Sequence, residues 1–177
     1  KLNIGGYQKQ ELKPSPCNMS FNSRREWIFN DVERTRKQTY SFIWRIRNCF
    51  FTFAPLCKGF LSDAYDKNGF HVKLNAPRFS EEALKKNQVV VDLVNKIAKE
   101  KKAIVAQISL AWVLAQKDFI VPIPGTTKLE RLKENIKATE IKFTKAEVES
   151  MNEALSQMNI ESRRFEPDSD FEKRVDL

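Results

Sequence analysis

The chain has few of the residues that build metal sites and disulfide frameworks. Its 177 residues include one histidine, His71, and three cysteines without a CxxC spacing. An odd number of cysteines in this arrangement excludes a disulfide framework and a four-ligand zinc site. We therefore predict that the three cysteines are free thiols. A single histidine leaves little material for a histidine metal site or a Ser-His-Asp triad. No metal site is therefore predicted.

Long apolar runs are also missing. No stretch reaches the ~20 uninterrupted apolar residues of a membrane span, and residues 1–6 lack the apolar run of a secretory signal. A hydrophobic fraction of 41% is nevertheless enough for a core, and the length favours one domain. These features predict a globular, cytoplasmic protein without a membrane partner.

Positive charge is concentrated at the start of the chain. The formal net charge is +8, and residues 1–50 hold ten basic against four acidic side chains. The remaining residues are therefore close to balance. Because no aromatic platform or helix-turn-helix signal accompanies the basic segment, nucleic acid is not the expected partner.

Sequence texture divides the chain into three parts. Residues 1–48 are irregular and basic, and they predict no element beyond a weak helix around 31–44. Residues 49–158 carry local signals that agree with one another. Residues 159–177 are polar and alternate in charge sign, which is typical of a surface or loose tail.

The middle part predicts two strands with helices between and after them. The aromatic run 49–54 is typical of a strand buried on both faces. Residues 119–123 predict a second buried strand, in which Pro122 implies an interrupted ladder. Apolar spacing predicts a surface helix over 80–102 and a helix over 106–116 that is apolar nearly all round.

Two further helices are predicted from capping boxes. Thr127 with Glu130, and Thr144 with Glu147, have the spacing in which a hydroxyl and a carboxylate satisfy backbone N–H groups reciprocally. The inner face of the first of these helices is predicted to consist of Leu129, Leu132 and Ile136.

This order of elements is typical of a parallel α/β protein, in which ligand sites lie in the turns after the strands. The sharper candidate is the turn at 124–131, because a helix N-terminus presents free N–H groups and partial positive charge to an anion. Lys128 and Arg131 lie on one helix face, which Asn135 continues. The simpler interpretation is a capped helix with a solvated basic face.

The second candidate is the turn at 55–61. Gly59 stands where a backbone could approach a pyrophosphate. The simpler interpretation is a loop shaped by Pro55 and Gly59, with Phe60 and Leu61 packed beneath it.

Four motifs in this order resemble the C-terminal half of an aldo-keto reductase. They read FAPLCKGFL at 53–61, APRFS at 76–80, AQISLAWVL at 106–114 and IVPIPGTTKLERLKEN at 120–135. The resemblance implies an α/β fold, the C-terminal part of a (β/α)8 TIM barrel, and NADPH as cofactor. A complete barrel needs ~250 residues, so the resemblance implies an incomplete one.

The resemblance also implies a set of cofactor contacts. The family's pyrophosphate turn corresponds to Pro55, Leu56, Cys57, Lys58 and Gly59, with Cys57 where a glycine is usual. The family's 2′-phosphate site corresponds to Gly125, Thr126, Thr127, Lys128 and Arg131, with Arg131 as the bidentate clamp. Glu134 and Asn135 correspond to the residues that reach the adenine edge.

The family's catalytic apparatus has no counterpart in this sequence. Its tyrosine, lysine, aspartate and histidine come from earlier strands, and no tyrosine or histidine here has a matching context: Tyr7, Tyr40, Tyr65 and His71. The resemblance thus implies reduction of small-molecule aldehydes or ketones by the family, with this chain carrying mainly the cofactor-binding part. The alternative is a non-catalytic nucleotide-binding or interaction protein derived from the fold.

An incomplete barrel has a physical consequence of its own. Two or three strands leave sheet edges and apolar inner faces uncovered, which barrel closure would otherwise remove. We therefore expect marginal stability, self-association through open sheet edges, or dependence on a partner.

Overall fold

The computed structural model describes residues 50–62 and 77–161, which form two strands and four helices. These are β1 (Phe50–Phe53), α1 (Glu81–Glu100), α2 (Val105–Gln116), β2 (Ile120–Ile123), α3 (Leu129–Lys137) and α4 (Lys145–Gln157), with 3-10 turns at Cys57–Gly59, Pro77–Phe79 and Ala138–Glu140. The predicted order of strands and helices is confirmed. The segment 1–48, with its weak helix around 31–44, lies outside the described residues.

The two strands form a parallel pair with residues 50–53 opposite residues 120–123. Side chains alternate between the faces of a strand, and Thr52 and Ile120 are buried on the face towards α2. The opposite face is open, with Phe51 38%, Val121 37% and Ile123 48% exposed. The expectation of strands buried on both faces is therefore wrong. In the described part of the chain, helices cover only one side of the sheet.

Pro122 does not interrupt the ladder. The pairing runs through all four positions and includes Thr52 opposite Pro122. A proline is tolerated in a strand where its missing N–H does not serve the neighbouring strand. The predicted interruption is therefore wrong, and the two strand ends stay in register.

The helices α1 and α2 form as their sequences predict. The Ser80 hydroxyl accepts a hydrogen bond from the Ala83 N–H at 3.1 Å and caps α1, whose first turn is acidic and whose last turn carries Lys99. Eight of the twelve residues of α2 are buried. An all-round apolar helix of this kind packs between layers, and α2 contacts α1, β2, α3 and α4.

The core consists of two neighbouring clusters. The larger surrounds α2 and contains Val94, Ala98, Val105, Ile108, Trp112, Val113, Ile120 and Met151. The smaller joins the segment after β1 to α1 and contains Phe60, Leu61, Val90 and Val91. The second cluster fixes the position of the turn that follows β1.

The helix α3 differs from its prediction at both its start and its apolar face. It begins at Leu129 with Lys128 as the N-cap, and no side chain caps it, so the predicted Thr127–Glu130 capping box is wrong. The Thr126 hydroxyl instead accepts from the Lys128 N–H at 3.2 Å, and this local turn delays the helix. The predicted inner face is also exposed: Leu129 62%, Leu132 45% and Ile136 59%. The spacing of these residues makes the helix amphipathic, but the described residues provide nothing to cover its apolar face.

The capping box predicted for α4 is confirmed. The Thr144 hydroxyl accepts from the Glu147 N–H at 3.2 Å, and a Glu147 carboxylate oxygen accepts from the Thr144 N–H at 2.7 Å. The other carboxylate oxygen of Glu147 forms an ion pair with Lys101 Nζ at 2.7 Å. One carboxylate thus joins the start of α4 to the end of α1.

These contacts predict a pH dependence. The hydrogen bond from Lys101, followed by those from Thr144, lowers the pKa of Glu147 to about 2. Because the folded pKa lies below the unfolded value, this stabilisation is present at neutral pH and is lost as the pH falls from about 5 to about 2. We expect the melting temperature of the native chain to fall more steeply over this range than that of Glu147→Gln.

A matched control lies on the same helix. Glu149 forms an exposed ion pair with Lys145 at 3.8 Å, four residues away. Glu149→Gln is expected to keep the native slope of melting temperature against pH, because surface pairs of this kind contribute little. Identical slopes for the native chain and Glu147→Gln would contradict the role given to Glu147.

The chain after α4 is held to α1 for a few residues. The Asn87 side chain donates to the Glu161 carbonyl and accepts from the Glu161 N–H, both at 2.8 Å. The start of the predicted polar tail therefore lies against α1, and residues 162–177 are outside the described part. Among the helices of residues 50–62 and 77–161, none combines the length and apolarity needed to cross a membrane.

Candidate functional site

The two turns predicted as ligand sites lie at one edge of the sheet. Each follows a strand, and the last pair of the ladder is Phe53 opposite Ile123. Because the strands are parallel, the chain leaves both at their carboxyl ends, side by side. This is the edge at which open and closed parallel sheets place their ligands.

The turn after β1 has an unusual backbone. Positive φ angles occur at Ala54 (49°), Cys57 (48°) and Lys58 (55°), as well as at Gly59 (103°). A residue other than glycine in this region costs about 1–2 kcal/mol. Such strain persists only where the surroundings enforce it, and it is concentrated at ligand sites and switch regions.

Hydrogen bonds and packing enforce this conformation. The Cys57 N–H donates to the Ala54 carbonyl and the Gly59 N–H to the Leu56 carbonyl, both at 2.9 Å. The Ser62 hydroxyl donates to the Gly59 carbonyl at 2.8 Å. Below the turn, Phe60 and Leu61 are buried against α1, as the simpler interpretation of this segment predicts. Lys58 is exposed on the outer side of the turn.

Arg78 interacts electrostatically with Cys57 of this turn and is a residue that sequence reasoning did not select. It belongs to the 3-10 turn before α1, with its guanidinium carbon 5.0 Å from the centre of the Phe79 ring. Burial lowers the pKa of Arg78, because a charge loses water there, while the electrostatic influence of Cys57 raises it. The APRFS motif contained this arginine, but its electrostatic interaction with Cys57 depends on the tertiary structure.

The turn after β2 is open to solvent. A Cβ added at Gly125 would meet no atom within 4 Å, and Gly125 does not have a positive φ angle. Neither packing nor backbone geometry therefore requires glycine at this position. Because Gly125 has no side chain, a ligand can reach the backbone at this position. Thr126 and Thr127 are exposed on the same turn.

The start of α3 adds backbone donors to this turn. No side chain caps the helix, so the first N–H groups of α3 have no side-chain acceptor. An uncapped helix N-terminus carries partial positive charge and N–H groups that point away from the helix. The arrangement is suited to a phosphate or carboxylate ligand.

Two cations lie at the start of α3, Lys128 as its N-cap and Arg131 in its first turn. Lys128 is exposed and Arg131 is half-buried, and neither forms an ion pair with any other residue of 50–62 and 77–161. Their charges are therefore available to a ligand from this part of the chain.

Glu134 and Asn135 lie one turn further along α3 and are half-buried. The Gln107 side chain of α2 donates to the Glu134 carbonyl at 3.1 Å, and the Asn135 carbonyl accepts from the Ala138 N–H. The bond from Gln107 holds the backbone of this turn against α2. Hydrogen bonds therefore fix the backbone positions from which the side chains of Glu134 and Asn135 extend.

The site as described contains cations, hydroxyls and backbone donors but no proton-transfer group of the expected kind. All three tyrosines and His71 lie outside residues 50–62 and 77–161. Within those residues there is no group of three or more side chains suited to hold a metal ion. The predicted turns are brought together, and their role in binding stays a prediction.

Two parallel strands with helices between and after them, and with both candidate turns at the carboxyl edge, define a parallel α/β unit. The sequence model of the aldo/keto reductase family matches residues 49–156, more than half of the chain. The chain therefore belongs to the aldo/keto reductase family, and its fold is the C-terminal, incomplete part of a (β/α)8 barrel. The resemblance drawn from the motifs is confirmed.

Individual relatives agree with the family. The chain is 38% identical over 119 residues to "Aldo-keto reductase yakc [NADP(+)]" of Schizosaccharomyces pombe, which covers 65% of this chain and 35% of the relative. It is 38% identical over 89 residues to "Probable aldo-keto reductase 1" of Glycine max, covering 50% of this chain and 26% of the relative. The chain thus spans about a third or less of these relatives.

A solved structure is also similar to part of the chain. It is the thermostable aldo-keto reductase Tm1743 in complex with the inhibitor epalrestat, with 27% sequence identity and a TM-score of 0.47. The match covers 72% of this chain and 36% of that protein.

Proposed function

We propose that the chain binds the phosphorylated adenosine end of NADP(H) at the turn after β2 and the start of α3. The observation that carries this proposal is an uncapped helix start with two available cations, beside open space at Gly125. The name of the fission yeast relative includes NADP(+), which is in keeping with it. Membership of the family supports the proposal but does not assign the cofactor to these residues.

The 2′-phosphate is the part of the ligand that this surface fits best. Its oxygens accept hydrogen bonds from the first N–H groups of α3 and from the hydroxyls of Thr126 and Thr127. Arg131 supplies a planar pair of donors suited to bidentate contact with phosphate, and Lys128 supplies a point charge. Glu134 and Asn135 follow on the helix, where the carboxylate and amide can recognise the amino edge of adenine.

The turn after β1 is proposed to hold the pyrophosphate. Pro55, Leu56 and Cys57 form its backbone, and Lys58 and Gly59 complete it. The turn is adjacent to the 2′-phosphate site because Phe53 pairs with Ile123. Arg78, which interacts electrostatically with Cys57, adds its positive charge to that of Lys58 for a negatively charged group along the turn.

Reduction of a carbonyl is proposed for the complete barrel rather than for the described residues. NADPH, when bound, supplies the hydride, and a small-molecule aldehyde or ketone accepts it. Because no tyrosine or histidine lies within residues 50–62 and 77–161, a non-catalytic nucleotide-binding role is the second candidate. Addition of NADPH and an aldehyde separates the two: loss of nicotinamide absorbance indicates a reductase, and binding without that loss indicates the second role.

Gly125→Ala provides a test that separates binding from folding. The added methyl group meets no protein atom, so we expect the free energy of unfolding to stay unchanged or to rise by up to about 1 kcal/mol. If a phosphate approaches the backbone there, the methyl group obstructs it. We expect NADPH affinity to fall on the order of tenfold, equivalent to about 1.4 kcal/mol, in calorimetric titration.

Gly59→Ala is the matched glycine substitution. Gly59 has φ of 103°, so an alanine there is strained and should lower the free energy of unfolding by about 1 kcal/mol or more. A Gly125→Ala variant that folds normally and binds NADPH as tightly as the native chain would show that the ligand does not approach this backbone.

A further inference from the structure

A cleft of about 520 Å³ lies between the end of α1, the start of α2 and the end of α3. Its charged lining consists of four lysines and one glutamate: Lys101, Lys102, Lys137, Lys142 and Glu140. Its volume falls within the range of ~300–1,000 Å³ that is typical of small-molecule sites. The cleft is therefore large enough for a small ligand, and its surface is positively charged.

The cleft is distinct from the proposed cofactor site. Lys137 is the last residue of α3, whereas Arg131 lies in the first turn of that helix. At 1.5 Å per residue, the two ends of this nine-residue helix are roughly 13 Å apart. None of the residues proposed to hold the cofactor lines the cleft. Binding of a ligand in the cleft therefore does not depend on the proposed cofactor site.

Lys101 has a structural role in the cleft. Its ammonium group donates to the Lys142 carbonyl at 3.1 Å and to Glu147 Oε1 at 2.7 Å. The same ammonium group lies 4.8 Å from the centre of the Phe143 ring. Glu147 therefore compensates the charge of Lys101, and the contacts of Lys101 join the end of α1 to the segment that carries Lys142.

The other three lysines of the cleft have no compensating carboxylate. Within residues 50–62 and 77–161, none of Lys102, Lys137 and Lys142 forms an ion pair. Lys142 Nζ donates to the Thr139 carbonyl at 3.1 Å, which is a neutral acceptor. Three positive charges against the one carboxylate of Glu140 leave a net charge of +2 in the cleft. Because like charges repel, an anion in the cleft would stabilise this arrangement.

Lys102 occupies a backbone position that favours glycine. It has a φ angle of 52° and follows the C-cap of α1. The Lys102 N–H donates to the Lys99 carbonyl at 3.3 Å, and the Ala103 N–H donates to the Ala98 carbonyl at 2.9 Å. This pair of bonds is the Schellman motif, whose left-handed residue is usually glycine because a Cβ strains the backbone there. A lysine at this position destabilises the helix end, and what it adds is a positive charge in the lining of the cleft.

Lysines at the ends of α1 and α3 also have a simpler explanation, which is attraction to the negative ends of these helices. The last carbonyl groups of both helices already accept hydrogen bonds from backbone N–H groups. No ammonium group is needed to satisfy them. Attraction to a helix end also does not explain Lys142, which lies in the segment between the 3-10 turn Ala138–Glu140 and α4.

We propose that this cleft binds a small molecule that carries two or more phosphoryl groups. Lysine binds phosphate as a point charge, whereas a planar carboxylate is matched best by the fork of an arginine. In the described part of the chain, the lining of the cleft contains four lysines but neither an arginine nor an aromatic ring. The ligand is therefore recognised by its charge rather than by stacking of a base.

Calorimetric titration of the full chain with inorganic pyrophosphate tests the proposal. Citrate is the comparison ligand, because it carries a similar charge on carboxylates. The titrations are made at low ionic strength, where exposed charges are screened least. We expect pyrophosphate to bind more tightly than citrate, and its binding to persist in Arg131→Ala, which alters the proposed cofactor site alone.

Lys102→Gly has an expected signature that a merely structural lysine would not produce. Glycine relieves the left-handed strain, so the melting temperature without ligand should rise by roughly 2–4 °C. The same substitution removes a positive charge from the cleft, so the affinity for pyrophosphate should fall by about fivefold. A variant that is more stable but binds more weakly separates the ligand site from the fold.

Three further variants locate the anion. Lys137→Gln should lower the affinity for pyrophosphate by about as much as Lys102→Gly, because each removes one uncompensated charge. Glu140→Gln should raise the affinity, since it removes the carboxylate that opposes an anion. Lys133→Gln is the matched control, because Lys133 is exposed on α3 and does not line the cleft. We expect its affinity to stay within about twofold of the native value.

Several results would overturn the proposal. One is the absence of saturable pyrophosphate binding, and another is equal affinity in the native chain, Lys102→Gly and Lys137→Gln. Loss of binding in Arg131→Ala would place the anion at the start of α3 instead. Citrate binding as tight as that of pyrophosphate would exclude selectivity for phosphoryl groups. The NADPH affinity of Arg131→Ala tests the proposed cofactor site separately, so either site can fail without the other.

Discussion

Replacement of Arg131 by alanine is expected to reduce affinity for NADPH by about 10- to 100-fold while leaving the affinity for NADH within about twofold. A hydrogen bond to a charged group contributes about 1.5–3 kcal/mol, and only NADPH carries the 2′-phosphate. Arg131 forms no ion pair in the described part of the chain, so its removal breaks no internal contact of that kind. Calorimetric titration with each cofactor measures the two affinities.

Two smaller ligands, 2′,5′-ADP and 5′-AMP, isolate the contribution of Arg131 to binding of the 2′-phosphate. The two molecules differ by the 2′-phosphate, and neither needs a nicotinamide site. Lys133→Ala is the matched control, because Lys133 is exposed on α3 and lies nearly opposite Arg131 around the helix. Equal losses of NADPH and NADH affinity in Arg131→Ala would remove Arg131 from the 2′-phosphate role.

Replacement of Trp112 by alanine is expected to have the largest effect on stability. Trp112 is 2% exposed at the centre of the larger core cluster. Truncation of a buried tryptophan costs about 3–5 kcal/mol, a large share of the 5–15 kcal/mol that stabilises a typical domain. Urea unfolding followed by circular dichroism should show a transition displaced to much lower urea, with part of the helical signal absent in buffer.

Two variants separate the contributions of Trp112. Its indole N–H donates to Asn152 Oδ1 at 3.0 Å, so Asn152→Ala removes that bond and should cost about 1 kcal/mol. Leu132→Ala removes an exposed leucine and should change the free energy of unfolding by less than about 0.5 kcal/mol. Unfolding of Trp112→Ala at the same urea concentration as Leu132→Ala would contradict the core described here.

Local sequence signals were sufficient for most of the elements. The capping box at Thr144, the apolar spacing of α1 and the all-round apolar character of α2 predicted three helices. These features act within a few residues of the chain, so the sequence contains all the information that determines them. The order of elements predicted a parallel α/β arrangement, and the parallel pairing of β1 with β2 confirms it.

The errors arise where the outcome depends on neighbours or on competing local bonds. Thr126 and Thr127 are adjacent hydroxyls, and the sequence did not show that Thr126 would take the Lys128 N–H and delay α3. Spacing identified Leu129, Leu132 and Ile136 as one apolar face, but burial needs a second surface, which spacing does not reveal. Arg78 was missed because its electrostatic interaction with Cys57 joins parts of the chain that are distant in sequence.

The left-handed residues of the turn after β1 have a thermodynamic consequence for any ligand that lies along it. Folding already restricts Ala54, Cys57 and Lys58 to conformations that free chains seldom visit. A binding partner therefore meets a surface whose backbone entropy has been lost in advance, and association needs no ordering of this segment. Calorimetry should consequently record a small entropic penalty from this loop, and substitutions that loosen it should weaken binding through entropy rather than through enthalpy.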